Sequence, residues 1–387
     1  MRHKPRILSV PLERTNRTHS RRYAIILVLI MLALLVAPVS RTAAGLDVWS
    51  PLGPLPIDGQ GNQPSVVALV VDPQNPAILY AGSAFSSSNT TLIYKSVNGG
   101  LTWSAASSGL PANGPLGTGI NTLAINPQQP GTLLAGIFNN GVWRSTNGGA
   151  NWSATSSGSI APTDNVAALV VNPQNPAIVY AIAGGTVHRS TNGGVSWSLA
   201  NSGLPGATSA LFNALVIDPQ SPDTLYVATT PTAIYKTTNG GTSWSRVDTG
   251  LPGASIGAVL LAINPAAPAT LYTRVTGSGS GLYRSTNGGV NWTLLFYDEV
   301  SALAVHPQNL NILYARLAAN GSTPNAVLRS EDGGVTWGDY SGGLSGVAQV
   351  IVFNPASPDQ VFAGTSIAGV FSLTRPKAKV HLPLVVR

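Results

Sequence analysis

The chain has 387 residues, of which 44% are apolar and only 9% charged, with no cysteine and a formal net charge of +7. That charge sits at one end: residues 1–44 hold Arg2, Lys4, Arg6, Arg14, Arg17, Arg21, Arg22 and Arg41 against the single acid Glu13, leaving 13 basic and 13 acidic residues in the remainder. With no net positive field to neutralise phosphates, nucleic-acid binding is excluded; the lack of cysteine excludes disulfide staples and a lipid-modified N-terminal cysteine.

The first element in the chain reads as an export signal. A basic stretch ending in Arg21 and Arg22 precedes YAIILVLIMLALLVAPV, and Thr42, Ala43 and Ala44 offer a small-residue cleavage site before Gly45. About 17 apolar residues also reach the lower limit for a bilayer span, so an uncleaved anchor is the alternative. The remainder is expected to be secreted or extracytoplasmic, touching the membrane only through this segment if it is retained.

After DVWSPLGPLP, Asp47 to Pro56, the chain enters a repeat. A β-rich run from Val66 to Val71 is halted by an Asx-Pro turn at Asp72-Pro73; ILYAG and LIYKS follow as second and third runs, then SVNGGLTW, then a fourth run, TWSAAS. The turn phrase occurs seven times, on Pro73, Pro127, Pro173, Pro219, Pro265, Pro307 and Pro355. The eight-residue phrase occurs six times, ending on Trp103, Trp152, Trp197, Trp244, Trp292 and Trp337 at intervals of 49, 45, 47, 48 and 45. Four short strands in about 47 residues is the size of one propeller blade, whereas solenoid repeats do not normally hold four strands each.

The seventh unit runs VAQVIVF, QVFAG and AGVFSL, then stops at Arg375 with no eight-residue phrase and no fourth strand. The stretch at Asp47 matches the WSAASSGLP that follows the phrase elsewhere. The expected fold is therefore all-β: a seven-bladed β-propeller of four-stranded antiparallel blades over 45–375, its last blade closed by the N-terminal strand. Residues 376–387, PKAKVHLPLVVR, form a C-terminal tail outside the repeat, without a sortase-type signal.

The eight-residue phrase resembles the Asp-box, or BNR repeat, Ser-x-Asp-x-Gly-x-x-Trp. Five copies depart from it with Asn98, Asn147, Asn192, Asn239 and Asn287, and only Asp332 keeps the acid. Asn and Asp both accept hydrogen bonds from turn amides, and the following glycines supply positive φ. A metal or acid–base role would need the carboxylate, so the phrase reads as a folding device whose tryptophan is buried between neighbouring elements. Lys95, Arg144, Arg189, Lys236, Arg284 and Arg329, each just before a phrase, read as strand-end residues lying over an aromatic ring or a turn carbonyl.

Among Asp-box propellers the chain is most similar to the seven-bladed photosystem assembly-factor type, and more distantly to the sortilin and xyloglucanase or sialidase types. The resemblance implies that binding sites lie opposite the repeated phrases, on loops between second and third strands and between blades. One break in the repeat falls there. The position after LYA or its equivalent is Gly82, Gly136, Ile182, Ala228, Arg274, Arg316 and Gly364, and Asp298 and Glu299 stand just before the first run of blade 6. This predicts a charged cluster between blades 5 and 6, either an interblade salt bridge or an anion- or sugar-binding patch. Asp164, Phe138 and Tyr297 complete the candidate binding residues.

A sialidase needs three arginines around its substrate carboxylate, and these cannot be assembled here. Other glycosidases need two carboxyls about 5–5.5 Å or about 6.5–9.5 Å apart; the best pair, Asp164 with Asp298 or Glu299, is separated by intervening blades. His188, His306 and His381 show no metal-ligand spacing, and no nucleotide motif is present, so no metal or cofactor is expected. The sequence points to a monomeric, secreted, non-catalytic propeller that binds an extracytoplasmic protein or glycan. The alternative is a xyloglucanase-like glycoside hydrolase acting on neutral polysaccharide.

Overall fold

The computed structural model describes residues 48–57, 61, 63–84, 92–111, 119–206, 211–253, 257–318 and 325–375. The export segment at 1–44 and the tail at 376–387 lie outside them. The described residues form seven four-stranded antiparallel sheets and no helix. Blade 1 comprises Val66–Val71, Leu79–Ser83, Ile93–Ser96 and Ser104–Ala105, paired in that order. The first strands of consecutive blades touch all the way round, blade 7 meeting blade 1, so the sheets form a closed ring.

Position in a blade explains the composition of each strand. Second strands such as Leu79–Ser83, Leu133–Ile137 and Val179–Ala183 are buried along their whole length. With a neighbouring blade on each side, they read as continuous runs of small apolar residues rather than alternating ones. Fourth strands are two residues long and mostly exposed, which leaves little open edge to recruit another chain. The core lies in the seams, where Tyr80 and Ile93 of blade 1, for example, pack with Ile120 and Trp152 of blade 2.

The repeated hairpin is held by its own side chains. Ser96 Oγ accepts the Gly100 amide at 2.8 Å, Asn98 Oδ1 accepts the Thr102 amide at 2.9 Å, and Asn98 Nδ2 donates to Thr102 Oγ1 at 2.8 Å. Gly99 and Gly100 take φ of 71° and 89°, a region closed to most side chains. In the sixth copy the same geometry appears with the last bond reversed: Asp332 Oδ2 accepts from Thr336 Oγ1 at 2.6 Å. A carboxylate and an amide thus serve equally well.

Burial works against the Asp332 charge, but hydrogen bonds from Thr336, Ser330 and Val335 outweigh it and hold the carboxyl below its ordinary value. A depressed folded-state pKa gives stability that is present above the unfolded value, about 4, and lost as pH falls through the folded value. Asp332→Asn should therefore leave the melting temperature unchanged at pH 7, within about 0.5 kcal/mol, and flatten its decline below about pH 4. Thermal melts of the two proteins from pH 7 to pH 3 check this.

Three sets of bonds stitch each blade to the next. The cation before each hairpin reaches the following blade's hairpin: Lys95 Nζ to Gly148 O at 2.8 Å, Arg144 Nε to Gly193 O at 3.1 Å, Arg284 Nη1 to Gly333 O at 3.2 Å. Lys95 and Lys236 also lie over Tyr80 and Tyr226, each 5.3 Å from the ring centre. Tryptophans make the second set. Trp152 donates its amide to Ser108 O at 2.9 Å and its indole to Ala106 O at 2.8 Å, and Trp244 repeats the pattern on blade 3. The third set comes from the turn-phrase glutamines: Gln74 Nε2 donates to Pro127 O and Gln128 O, Gln128 to blade 3, Gln174 to blade 4 and Gln220 to blade 5. In blade 6, where His306 replaces the Asx residue, its Nδ1 accepts the Gln308 and Asn309 amides at 3.1 and 2.9 Å.

The N-terminal strand closes the ring. Ser50 and Pro51 pair with Ser372 and Phe371, and Leu52 N donates to Val370 O at 2.9 Å. Trp49 takes the place of a seventh hairpin tryptophan: its amide donates to Gly342 O at 2.8 Å and its indole to Tyr340 O at 2.7 Å, matching the bonds of Trp152. Where blade 7 has no hairpin, Arg329 does not reach forward; it pairs with Glu331 and stacks on Tyr314 and Tyr340, and Arg375 also pairs with Glu331 at 2.9 Å.

Candidate functional site

The hairpins and Asx-Pro turns share one face, joined by amide-to-carbonyl bonds such as Gly99 N to Ala77 O and Gly148 N to Gly131 O, both 2.8 Å. The opposite face carries the second-to-third strand loops and the links between blades. There, at the 5/6 seam, the sequence-predicted charges meet.

Arg274 lies on the second strand of blade 5, Leu271–Thr276, opposite Leu260 and Leu282. Its counterparts show what this position faces. A Cβ on Gly82 would come 2.6 Å from Ile120 of the next blade, and one on Gly136 2.6 Å from Val166. Arg274 accordingly runs into the seam and binds Glu299 at the edge of blade 6, Nη2 to Oε2 at 2.7 Å, with 18% and 15% of the two side chains exposed. The expected charged cluster is thus an interblade ion pair, and the buried Nε of Arg274 is left without a partner.

Arg316 occupies the same register in blade 6, opposite Ala302. It meets a hydroxyl instead of a carboxylate, Nε to Ser301 Oγ at 2.5 Å, and forms no ion pair among the described residues. Burial, and then the like charge of Arg274, lower the pKa of its guanidinium. Beside the pair, Tyr297 is 79% exposed and Asp298 half-buried.

The other predicted residues stand at the 2/3 seam. Asp164 Oδ2 accepts the Ala161 amide at 2.8 Å and its carbonyl accepts the Gly141 amide at 3.0 Å, so the residue holds together the link into blade 3 and the nearby blade 2 hairpin. Phe138 sits in that hairpin, 37% exposed, its amide on Gly119 O. Blades 3, 4 and 5 intervene between Asp164 and Glu299, and each carboxylate is already held, one by a turn amide and the other by an arginine. The structure does not bring together the two free carboxyls that glycoside hydrolysis uses. Phe212 is buried and Phe296 packs against Trp337 at 5.8 Å; Asp58 and Phe85 lie outside the described residues.

Ser301 escaped the sequence reading. All seven first strands carry a bulge after their first residue, and Ser301 is the bulged residue of blade 6. A bulge re-aims its side chain: Asn121 reaches Asn165 Oδ1 at 2.7 Å and Asn213 reaches Ala258 O at 2.9 Å, both in the next blade. The available signal was a lone polar residue interrupting an apolar run, in INTLAI, LFNALVI and VSALAV.

Seven four-stranded sheets closed by the N-terminal strand make this chain a seven-bladed β-propeller. It belongs to the DUF6242 beta propeller domain family, whose sequence model matches residues 138–344. No curated protein matches its sequence. Among solved structures it is similar to the GH74 enzyme of Niastella koreensis, with a TM-score of 0.60 and 20% identity over 84% of this chain and 53% of that one. It is also similar to YCF48 bound to a D1 peptide, with a TM-score of 0.63 and 16% identity over 87% and 100% of the two chains. YCF48 from Cyanidioschyzon merolae gives a TM-score of 0.61 and 14% identity over 85% and 99%. The chain spans about half the length of the GH74 enzyme, and at these identities the likeness is one of fold.

Proposed function

We propose that the chain is a secreted, non-catalytic propeller that binds a protein or glycan outside the cytoplasmic membrane, on the face opposite the repeated hairpins and over the 5/6 seam. The observation that carries this reading is Arg316, a half-buried guanidinium whose side-chain partner is a hydroxyl and whose neighbour is another arginine. An anionic group on a partner would take up its remaining N–H donors in the planar, two-pronged geometry that favours arginine over lysine. Tyr297 offers an exposed ring at the rim, of the kind that anchors interfaces. The match to YCF48 along its whole length, in a structure that holds a D1 peptide, supports peptide binding by a propeller of this size. The export signal at 1–44 supports the location. Hydrolysis has less support, because Asp164 and Glu299 are each committed elsewhere.

The test uses the full chain as bait on solubilised cell envelope. Arg316→Ala should retain the wild-type melting temperature and lose captured partner by about tenfold, the equivalent of 1.4 kcal/mol. Arg274→Ala should lose stability as well, because Glu299 is left unpaired. Unchanged capture by Arg316→Ala would remove the site. Absence of any partner, together with hydrolysis of neutral β-glucans, would put the enzymatic reading in its place.

A further inference from the structure

A second site lies on the hairpin face, at the 2/3 seam, and does not depend on the 5/6 reading. At four of the six seams leading into a repeated hairpin, the preceding blade supplies a tyrosine beneath the first hairpin glycine. The Tyr80 hydroxyl donates to Gly148 O at 3.2 Å and that of Tyr272 to Gly333 O at 3.3 Å. The Tyr180 and Tyr226 hydroxyls stand 3.1 and 3.2 Å from where a Cβ on Gly240 and Gly288 would sit. Blade 7 has lost both tyrosine and cation, with Phe362 and Ser372 in their places, and there Leu52 of the N-terminal strand fills the space against Gly100. Blade 2 alone keeps the cation, Arg144, and loses the hydroxyl, because its residue is Leu134.

The loss leaves a hollow. Around the Cβ seat of Gly193 the nearest atoms are Arg144 Nη2 and Pro176 O, both 3.9 Å away, and a groove of about 450 Å³ opens at this point. That is within the usual range for small-molecule sites, about 300–1,000 Å³. Arg144, Gly193, Asn126, Gln129, Thr132 and Asn175 line it, with no acidic residue among its walls.

We propose that this groove binds a neutral sugar, one of whose hydroxyls takes the seat of the missing tyrosine hydroxyl. The seat requires a group that donates to Gly193 O while accepting from the Arg144 guanidinium. A carboxylate has no proton for the carbonyl, and an ammonium has no lone pair for the arginine; a hydroxyl has both. The Gln129, Thr132 and Asn175 side chains then supply amide and hydroxyl groups for neighbouring sugar oxygens. With no aromatic platform in the walls, the affinity expected for a single oligosaccharide is in the range of about 0.1–1 mM.

The full chain is titrated by calorimetry and saturation-transfer NMR with cellohexaose, laminarihexaose, mannohexaose and xyloglucan heptasaccharide. The expected result is binding of at least one of them, weakened at least tenfold in Leu134→Tyr, which restores the hydroxyl in a slot that holds tyrosine in four other seams. Leu134→Tyr should melt at or above the wild type. Leu134→Phe should keep more binding than Leu134→Tyr, because it fills the slot but leaves the hydroxyl seat open. Arg144→Gln should lose binding, and Arg316→Ala should bind sugar as the wild type does, which separates this site from the one at the 5/6 seam. No binding of any of the four sugars up to about 10 mM, or equal binding by wild type and Leu134→Tyr, would overturn the proposal.

Discussion

Replacement of Trp49 by alanine should destabilise the propeller by roughly 3–5 kcal/mol, the range for truncating a buried large aromatic. The indole is 1% exposed and packs with Tyr314, Val327, Ile351 and Phe371, so its removal opens a cavity between blades 6 and 7. Tyr340 O loses its donor at the same time. The effect should exceed that of Trp103→Ala, because the Trp103 indole makes no hydrogen bond and the ring is held elsewhere by continuous chain. Beyond the energy lost, Trp49 fixes the strand that covers the outer edge of blade 7. An uncovered Val370–Thr374 strand is a template for pairing with other chains. The variant should show a lower urea midpoint and concentration-dependent aggregation near it, read by equilibrium unfolding and light scattering.

Gly364→Val should have the second-largest effect, at least about 1–3 kcal/mol. Gly364 is the blade 7 member of the register that holds Arg274 and Arg316, and it faces blade 1 across the closing seam. Its Cβ would come 2.5 Å from Val66 Cγ1 and 2.9 Å from Val350 Cγ1, both on inner strands pinned in the ring. Relief requires the closing blades to part. Val66→Ala should therefore recover part of the loss although it is destabilising alone, and a double-mutant cycle of urea midpoints should give a coupling of about 1 kcal/mol or more. Equal and additive losses would mean that the two residues do not meet.

The fold was legible because its instructions are local. The bonds that define each hairpin run between residues two and four apart, so the phrase SxNGGxxW carries its own geometry, and counting copies is equivalent to counting blades. The seventh blade was legible for the same reason, since a missing phrase is as visible as a present one. Partners across seams were harder. Gln74 and Pro127 are 53 positions apart, and nothing in PQNP distinguishes a solvated glutamine from one that bonds to the next blade's turn.

At the 5/6 seam, Arg274 and Glu299 stood out because arginine broke a register of small residues. Ser301 did not, because its role depends on a bulge that shows only as one polar residue in an apolar strand. Asp164 was visible as an acid but not as one already engaged, since the link holding it belongs to no repeat. Leu134 was overlooked for the opposite reason. One leucine among tyrosines reads as a neutral exchange until the missing hydroxyl is located against Gly193.

Closure by the N-terminal strand in place of a seventh hairpin is tested most directly by placing cysteines at Ser50 and Ser372. These residues are directly paired across the closing strands, and the chain has no other cysteine to compete. Mild oxidation of the purified double variant should give one intramolecular disulfide. The bond should raise stability by up to about 5 kcal/mol, as expected for a cross-link closing almost the whole ring. Thiols that stay free under oxidation, or that pair only between molecules, would mean that the N-terminal strand does not lie on blade 7.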